Sequence, residues 1–144
     1  MTLKTLALSL LTLCLLSSCK DDPTIEEQLI GDWTRSSLEI VNCDDSNDDF
    51  PFTNTDSDGC LQLNDDTFAC STLNFISGGT GTENSTVNGD LDFNPLTYSI
   101  DVNTDVLTIC NIDGDCFKGN IFNNALTFNF TNDQNCSIIM EYTR

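Results

Sequence analysis

From Trp33 to the end of the chain, apolar side chains recur at every second position in short runs, and small polar residues break the runs at regular intervals. The clearest runs come last. Leu126, Phe128 and Phe130 alternate with Thr127, Asn129 and Thr131, and Ile138, Met140 and Tyr142 alternate with Ser137 and Glu141. A period of two puts alternate side chains on opposite faces of a strand. The same criterion predicts strands over 33–42, 60–64, 67–76, 80–89, 96–102, 106–111, 116–122, 125–131 and 136–143. Their separators are of turn type: Asp65-Asp66, Ser77-Gly78-Gly79, Asn103-Thr104-Asp105, Asp113-Gly114, Asn123-Asn124 and Asn132-Asp133. Only 23–30 reads as helix, with Pro23 or Thr24 at its start, Glu26 and Glu27 in its first turn and Gly31 after it. The stretch 43–59, rich in Asp, Asn and Ser, is predicted as an exposed loop.

Strands joined by turns this short cannot be parallel, because a parallel crossover needs a dozen or more residues. The pattern therefore predicts an all-β antiparallel up-and-down meander with one short N-terminal helix. Closing it into a barrel of eight or nine strands removes its edges. A β-sandwich stays open as the alternative, since alternation does not distinguish closure from stacking.

The N-terminus reads differently. Lys4 is followed by an apolar run over 6–16, too short for the ~20 residues that cross a bilayer, so 1–18 is predicted to be a secretory signal peptide. Its end, Leu16-Ser17-Ser18-Cys19, resembles the lipobox of bacterial lipoproteins. The resemblance implies cleavage before Cys19, acylation of that cysteine and a membrane anchor over 19–27. Lys20-Asp21-Asp22-Pro23 resembles the export signal of Bacteroidota surface lipoproteins and equally reads as a solvated linker. The expected location is the bacterial outer membrane, with exposure at the cell surface on the first of these readings.

At the start of the first strand stands Gly31-Asp32-Trp33. A Gly-x-Trp after a helical turn is similar to the signature of the lipocalin family and its bacterial lipocalin-like relatives. The resemblance implies a barrel domain over 28–144 whose end is plugged by Trp33, with the terminal Arg144 over the indole.

Composition narrows the chemistry. The formal net charge is −18, and all 23 acidic residues lie beyond residue 18, so the exported domain repels nucleic acid. With Cys14 in the leader and Cys19 taken by lipid, Cys43, Cys60, Cys70, Cys110, Cys116 and Cys136 remain. An even number in an exported chain predicts three disulfides. Cys110 and Cys116 flank the Asp113-Gly114 turn and are expected to pair, and the partners of the other four are left open. Zinc is disfavoured by the wide spacing and the absence of His.

Asn54-x-Asp56-x-Asp58-Gly59, with Asp65 in place of Glu at the twelfth position, matches the first half of a calcium loop, but without flanking helices it reads first as a solvated acidic loop. Without His, and with no nucleophile elbow or phosphate loop, no enzyme is expected. Two functions are compatible with this sequence. One is a binding module, monomeric and membrane-anchored, for a small apolar or amphipathic ligand lined by Phe75, Leu107, Phe128 and Met140. The other is a structural or interaction lipoprotein in which those residues are plain core and the acidic loops hold calcium. An interior cavity above about 300 Å³ favours the first, and a filled interior the second.

Overall fold

The structure, a computed structural model, describes residues 23–64 and 66–144. The leader, Cys19, residues 20–22 and Asp65 lie outside the described residues.

Helix α1, Ile25–Leu29, is held by a capping box: Glu27 N–H donates to Thr24 Oγ1 at 3.2 Å, and Thr24 N–H donates to the Glu27 carboxylate at 2.8 Å. Gly31 then turns the chain at φ +122°, a conformation open to glycine and costly for any residue with a Cβ. Ten strands follow: β1 Gly31–Val41, β2 Phe50–Asn54, β3 Cys60–Asn64, β4 Thr67–Ile76, β5 Thr80–Val87, β6 Asp90–Asp101, β7 Val106–Asn111, β8 Cys116–Phe122, β9 Ala125–Thr131 and β10 Ser137–Thr143. All their pairings are antiparallel.

Strands β4 to β10 form a continuous meander, and β1 joins its two ends. One side of β1 pairs with β10 along most of its length, from Thr34↔Thr143 to Val41↔Ser137. On the other side its first residues pair with β4, from Gly31↔Phe75 to Thr34↔Thr72. Eight strands therefore close into a barrel, which answers the sandwich alternative. Beyond Thr34 the two closing strands part, and each takes a short partner: β2 lies along the second half of β1, and β3 along the start of β4. A register shift between Arg35 and Ser37 marks the parting on β1.

Two strand assignments differ from the sequence expectation. The loop predicted over 43–59 contains β2 and a 3-10 turn at Ser46–Asp48. Its pairing, Leu38↔Thr53 and Ile40↔Phe50, satisfies the backbone of β1 where β4 has left it, a demand that β2's composition does not reveal. Strand β6 starts at Asp90, six residues earlier than alternation suggested. There Leu91 and Phe93 are exposed while Asp92 and Asn94 stand opposite Ser85 and Glu83, so the hydrophobic signal is inverted.

Asn-rich turns serve the hairpins. Asn123 and Asn124 both have positive φ, at 50° and 62°, as the two-residue turn between β8 and β9 demands. The core comprises Leu29, Trp33, Leu73, Phe75, Leu96, Tyr98, Leu107, Leu126, Phe128 and Tyr142. It crosses the whole barrel and takes in α1, which shuts the end where β1 begins.

Candidate functional site

The shut end is built on Trp33. Its side chain is 1 % exposed, and its Nε1–H donates to the Leu29 carbonyl at 2.7 Å. The Arg144 guanidinium lies 4.5 Å from the ring centroid and donates to the carbonyls of Gln28 and Ile30, the latter at 2.6 Å. Carbonyls at the C-terminal end of a helix have no partner within it. Here the indole and the terminal guanidinium supply them, so the two residues named from the Gly-x-Trp resemblance meet around the last turn of α1.

Inside the barrel a polar group interrupts the core. Arg35 is 7 % exposed, and its Nη2 donates to the Ala69 carbonyl at 2.6 Å and to that of Gly59 at 3.4 Å. Among the described residues Nε has no hydrogen-bond partner. Ser71 donates to Glu83 Oε1 at 3.2 Å, which leaves Tyr142 as donor in its 3.0 Å bond to Ser71 Oγ. Burial pushes the Tyr142 phenol up to about 12, with Glu83 adding to the shift, while Ser71 and Arg35 oppose it. Burial also lowers Arg35 from its ordinary value, and Tyr142 and Glu83 oppose that change. Alternation places Tyr142 with Met140 on one face, and sequence reasoning passed over Arg35, Ser71 and Glu83. Arg35 stands two positions from Trp33, so strand periodicity alone would have placed it inside.

Beside this group is a cavity of about 70 Å³, lined by Leu73, Ile109, Phe117, Phe128 and Met140, with Glu83, Asn94, Asn111 and Tyr142 as its polar members. Of the four ligand-lining candidates it brings together Phe128 and Met140. Phe75 and Leu107 are fully buried in the core and do not line it. A volume of 70 Å³ takes a few waters or the tip of a chain and falls well short of the ~300 Å³ of an ordinary ligand pocket. A larger concavity, of about 660 Å³, is an open cleft on the surface between the start of α1 and the β4–β5 and β6–β7 turns.

The disulfides stand toward the opposite end. Cys110–Cys116 and Cys60–Cys70 each join directly opposed positions of a hairpin, and Cys43–Cys136 ties the chain leaving β1 to the residue before β10. The expected Cys110–Cys116 pair is thus present. The same hairpin argument applied across Asp65-Asp66 would have found Cys60–Cys70. These bonds are the mark of a protein matured in an oxidising compartment outside the cytoplasm.

The acidic loop next to them has its own internal geometry. Asp56 Oδ1 accepts from Asp58 N–H at 3.0 Å and from Cys60 N–H at 2.9 Å, so this carboxylate closes its own turn. Asn54 belongs to β2 opposite Ser37, and Asp58 accepts from Ser57 Oγ at 3.5 Å. Among the described residues no group of three or more Cys, Asp or Glu side chains is arranged to hold a metal ion. No described helix is long and apolar enough to cross a membrane. No family model, curated protein or solved structure matches the chain.

Proposed function

We propose that the protein is a lipid-anchored, lipocalin-like surface lipoprotein of the interaction class, non-catalytic, whose barrel is a filled scaffold rather than a container. The observation that carries this is the interior: Trp33, Phe75, Leu107, Leu126, Phe128 and Tyr142 are at most 2 % exposed, and the cavity beside them holds about 70 Å³. Three disulfides brace the end that displays the acidic turns, which suits a module presented to the outside of a cell. The lipobox resemblance at Cys19 supports the anchor. Because Asp56 is already engaged by its own turn, calcium has no part in this proposal.

A second reading has one observation in its favour. The small cavity combines apolar walls with Glu83, Asn94, Asn111 and Tyr142, and it suits the short apolar end of an amphipathic molecule. Titration of the full-length protein with a fluorescent long-chain fatty acid separates the two. The filled scaffold gives no saturable signal beyond partition into detergent. Stoichiometric, saturable binding that Phe128→Trp abolishes would replace it with the container.

A further inference from the structure

The two ends of this barrel differ in what their turns carry. At the end shut by α1, the three hairpin connections each bear one large apolar residue in the open: Ile76 before the β4–β5 turn at 54 % exposure, Val102 in the β6–β7 turn at 82 % and Phe122 before the β8–β9 turn at 74 %. Isolated exposed apolar residues are common on any surface. They occupy every hairpin connection of this rim, while the opposite half of the barrel exposes Phe68, Val87, Leu91, Phe93 and Ile112, so the position of Pro23 and not apolar content distinguishes this end. The remaining sector of that rim holds β1, β10 and the first described residue, Pro23, whose carbonyl is held by the Gln28 amide at 2.8 Å. Pro23 and Ile25 also line the 660 Å³ cleft together with Ile100 and Val102.

Charge divides the molecule along the same axis. The three hairpin connections of the α1 end contain a single acid, Asp105, with Glu26 and Glu27 on α1, Asp32 and Asp101 at the strand ends and Asp56 near Arg144. The connections of the other end carry Asp44, Asp45, Asp48, Asp49, Asp66, Asp113, Asp115 and Asp133.

We infer that the α1 end of the barrel is a membrane-docking face that rests on a phospholipid bilayer, with Ile76, Val102 and Phe122 entering the interfacial layer and the acidic, disulfide-braced end directed away. The inference rests on the proposed anchor at Cys19, and the chain outside the structure argues for it. Four peptide steps separate Cys19 from Pro23, and an extended chain spans at most ~3.6 Å per residue. An acylated Cys19 at the bilayer surface therefore confines Pro23, and the rim around it, to within roughly 14 Å of the lipid headgroups. At that distance apolar turn tips meet lipid at little further cost in freedom, because the tether has already paid for localisation. Anionic headgroups would repel the far end and leave this one as the face toward the membrane.

The test uses tryptophan depth in the lipidated full-length protein. Trp33 is the only native tryptophan and is buried, so the wild type supplies a constant background. F122W and V102W place reporters at the α1 end, and I112W places one at the other end, where Ile112 is 76 % exposed. Each protein is reconstituted in phosphatidylcholine vesicles with acyl chains brominated near the glycerol. The expected result is strong loss of emission at positions 102 and 122 and none at 112. Introducing aspartate at both Ile76 and Val102 of F122W should restore its emission while the protein still floats with the vesicles. Co-flotation with no quenching at any reporter, or equal quenching at all three, would overturn the docking face and leave the anchor standing. Failure to float, with an unmodified Cys19 by mass, would overturn both.

Discussion

Removing Arg144 while keeping its length examines the plug directly. Arg144→Met retains an apolar stem over the indole and deletes the charge 4.5 Å from the Trp33 centroid, together with the bonds to the Gln28 and Ile30 carbonyls. A cation–π contact at an exposed site contributes about 0.5–1 kcal/mol, and a hydrogen bond to a charged donor about 1.5–3 kcal/mol when buried. Arg144 is exposed, so its bonds are discounted, and the expected loss is about 1–2 kcal/mol. Trp33→Leu empties much of a buried site and strips the Leu29 carbonyl of its donor, for about 3 kcal/mol or more. The informative quantity is the interaction between the two. In a double-mutant cycle by guanidinium denaturation, followed by far-ultraviolet circular dichroism, the double variant should be more stable than the sum of singles predicts by about 0.5–1 kcal/mol. Additivity within ~0.3 kcal/mol would mean that Arg144 and Trp33 serve the barrel independently, and the two-residue plug would be refuted.

Other outcomes follow from single contacts. A Cβ on Gly119 would lie 2.6 Å from the Phe128 ring, so Gly119→Ala should cost about 1–3 kcal/mol in denaturant, and an unchanged midpoint would show that the ring moves freely. With the six cysteines paired, thiol reagent under denaturing, non-reducing conditions should find no free thiol among Cys43, Cys60, Cys70, Cys110, Cys116 and Cys136; two or more would break the framework. The raised Tyr142 pKa sets an alkaline limit. Below pH 10 phenol is neutral in both states and the full contribution is present, and between about 10 and 12 the unfolded chain ionises first and stability falls. The total is on the order of 3 kcal/mol, and Tyr142→Phe should remove that slope in a pH series of denaturation midpoints.

Much of this architecture was legible because a half-buried antiparallel strand writes its register into the chain. Leu126, Phe128 and Phe130, and Met140 and Tyr142, face inward as alternation required, and turns of Asn and Gly stand where positive φ is needed. What escaped was set by backbone pairing and by buried polarity. Strand β2 exists because β1 outruns β4, which no property of residues 50–54 announces. Arg35, Ser71 and Glu83 look like a solvent face in sequence, yet the barrel turns them inward, where Ser71 joins Glu83 to Tyr142 and Arg35 donates to backbone carbonyls. The Cys43–Cys136 bond likewise became visible only with the Val41↔Ser137 register beside it. Phe75 and Leu107 illustrate the limit of naming a pocket from apolar residues: a core position and a ligand-lining position have the same sequence signature, and only the volume between side chains separates them.

The central claim, a filled barrel held to a membrane by its own first residue, is tested most directly at that residue. Mass spectrometry of the N-terminal peptide from protein isolated with cell membranes should find a chain beginning at Cys19 and carrying acyl groups on that cysteine. A mature chain that begins elsewhere, or a Cys19 without lipid, would contradict it.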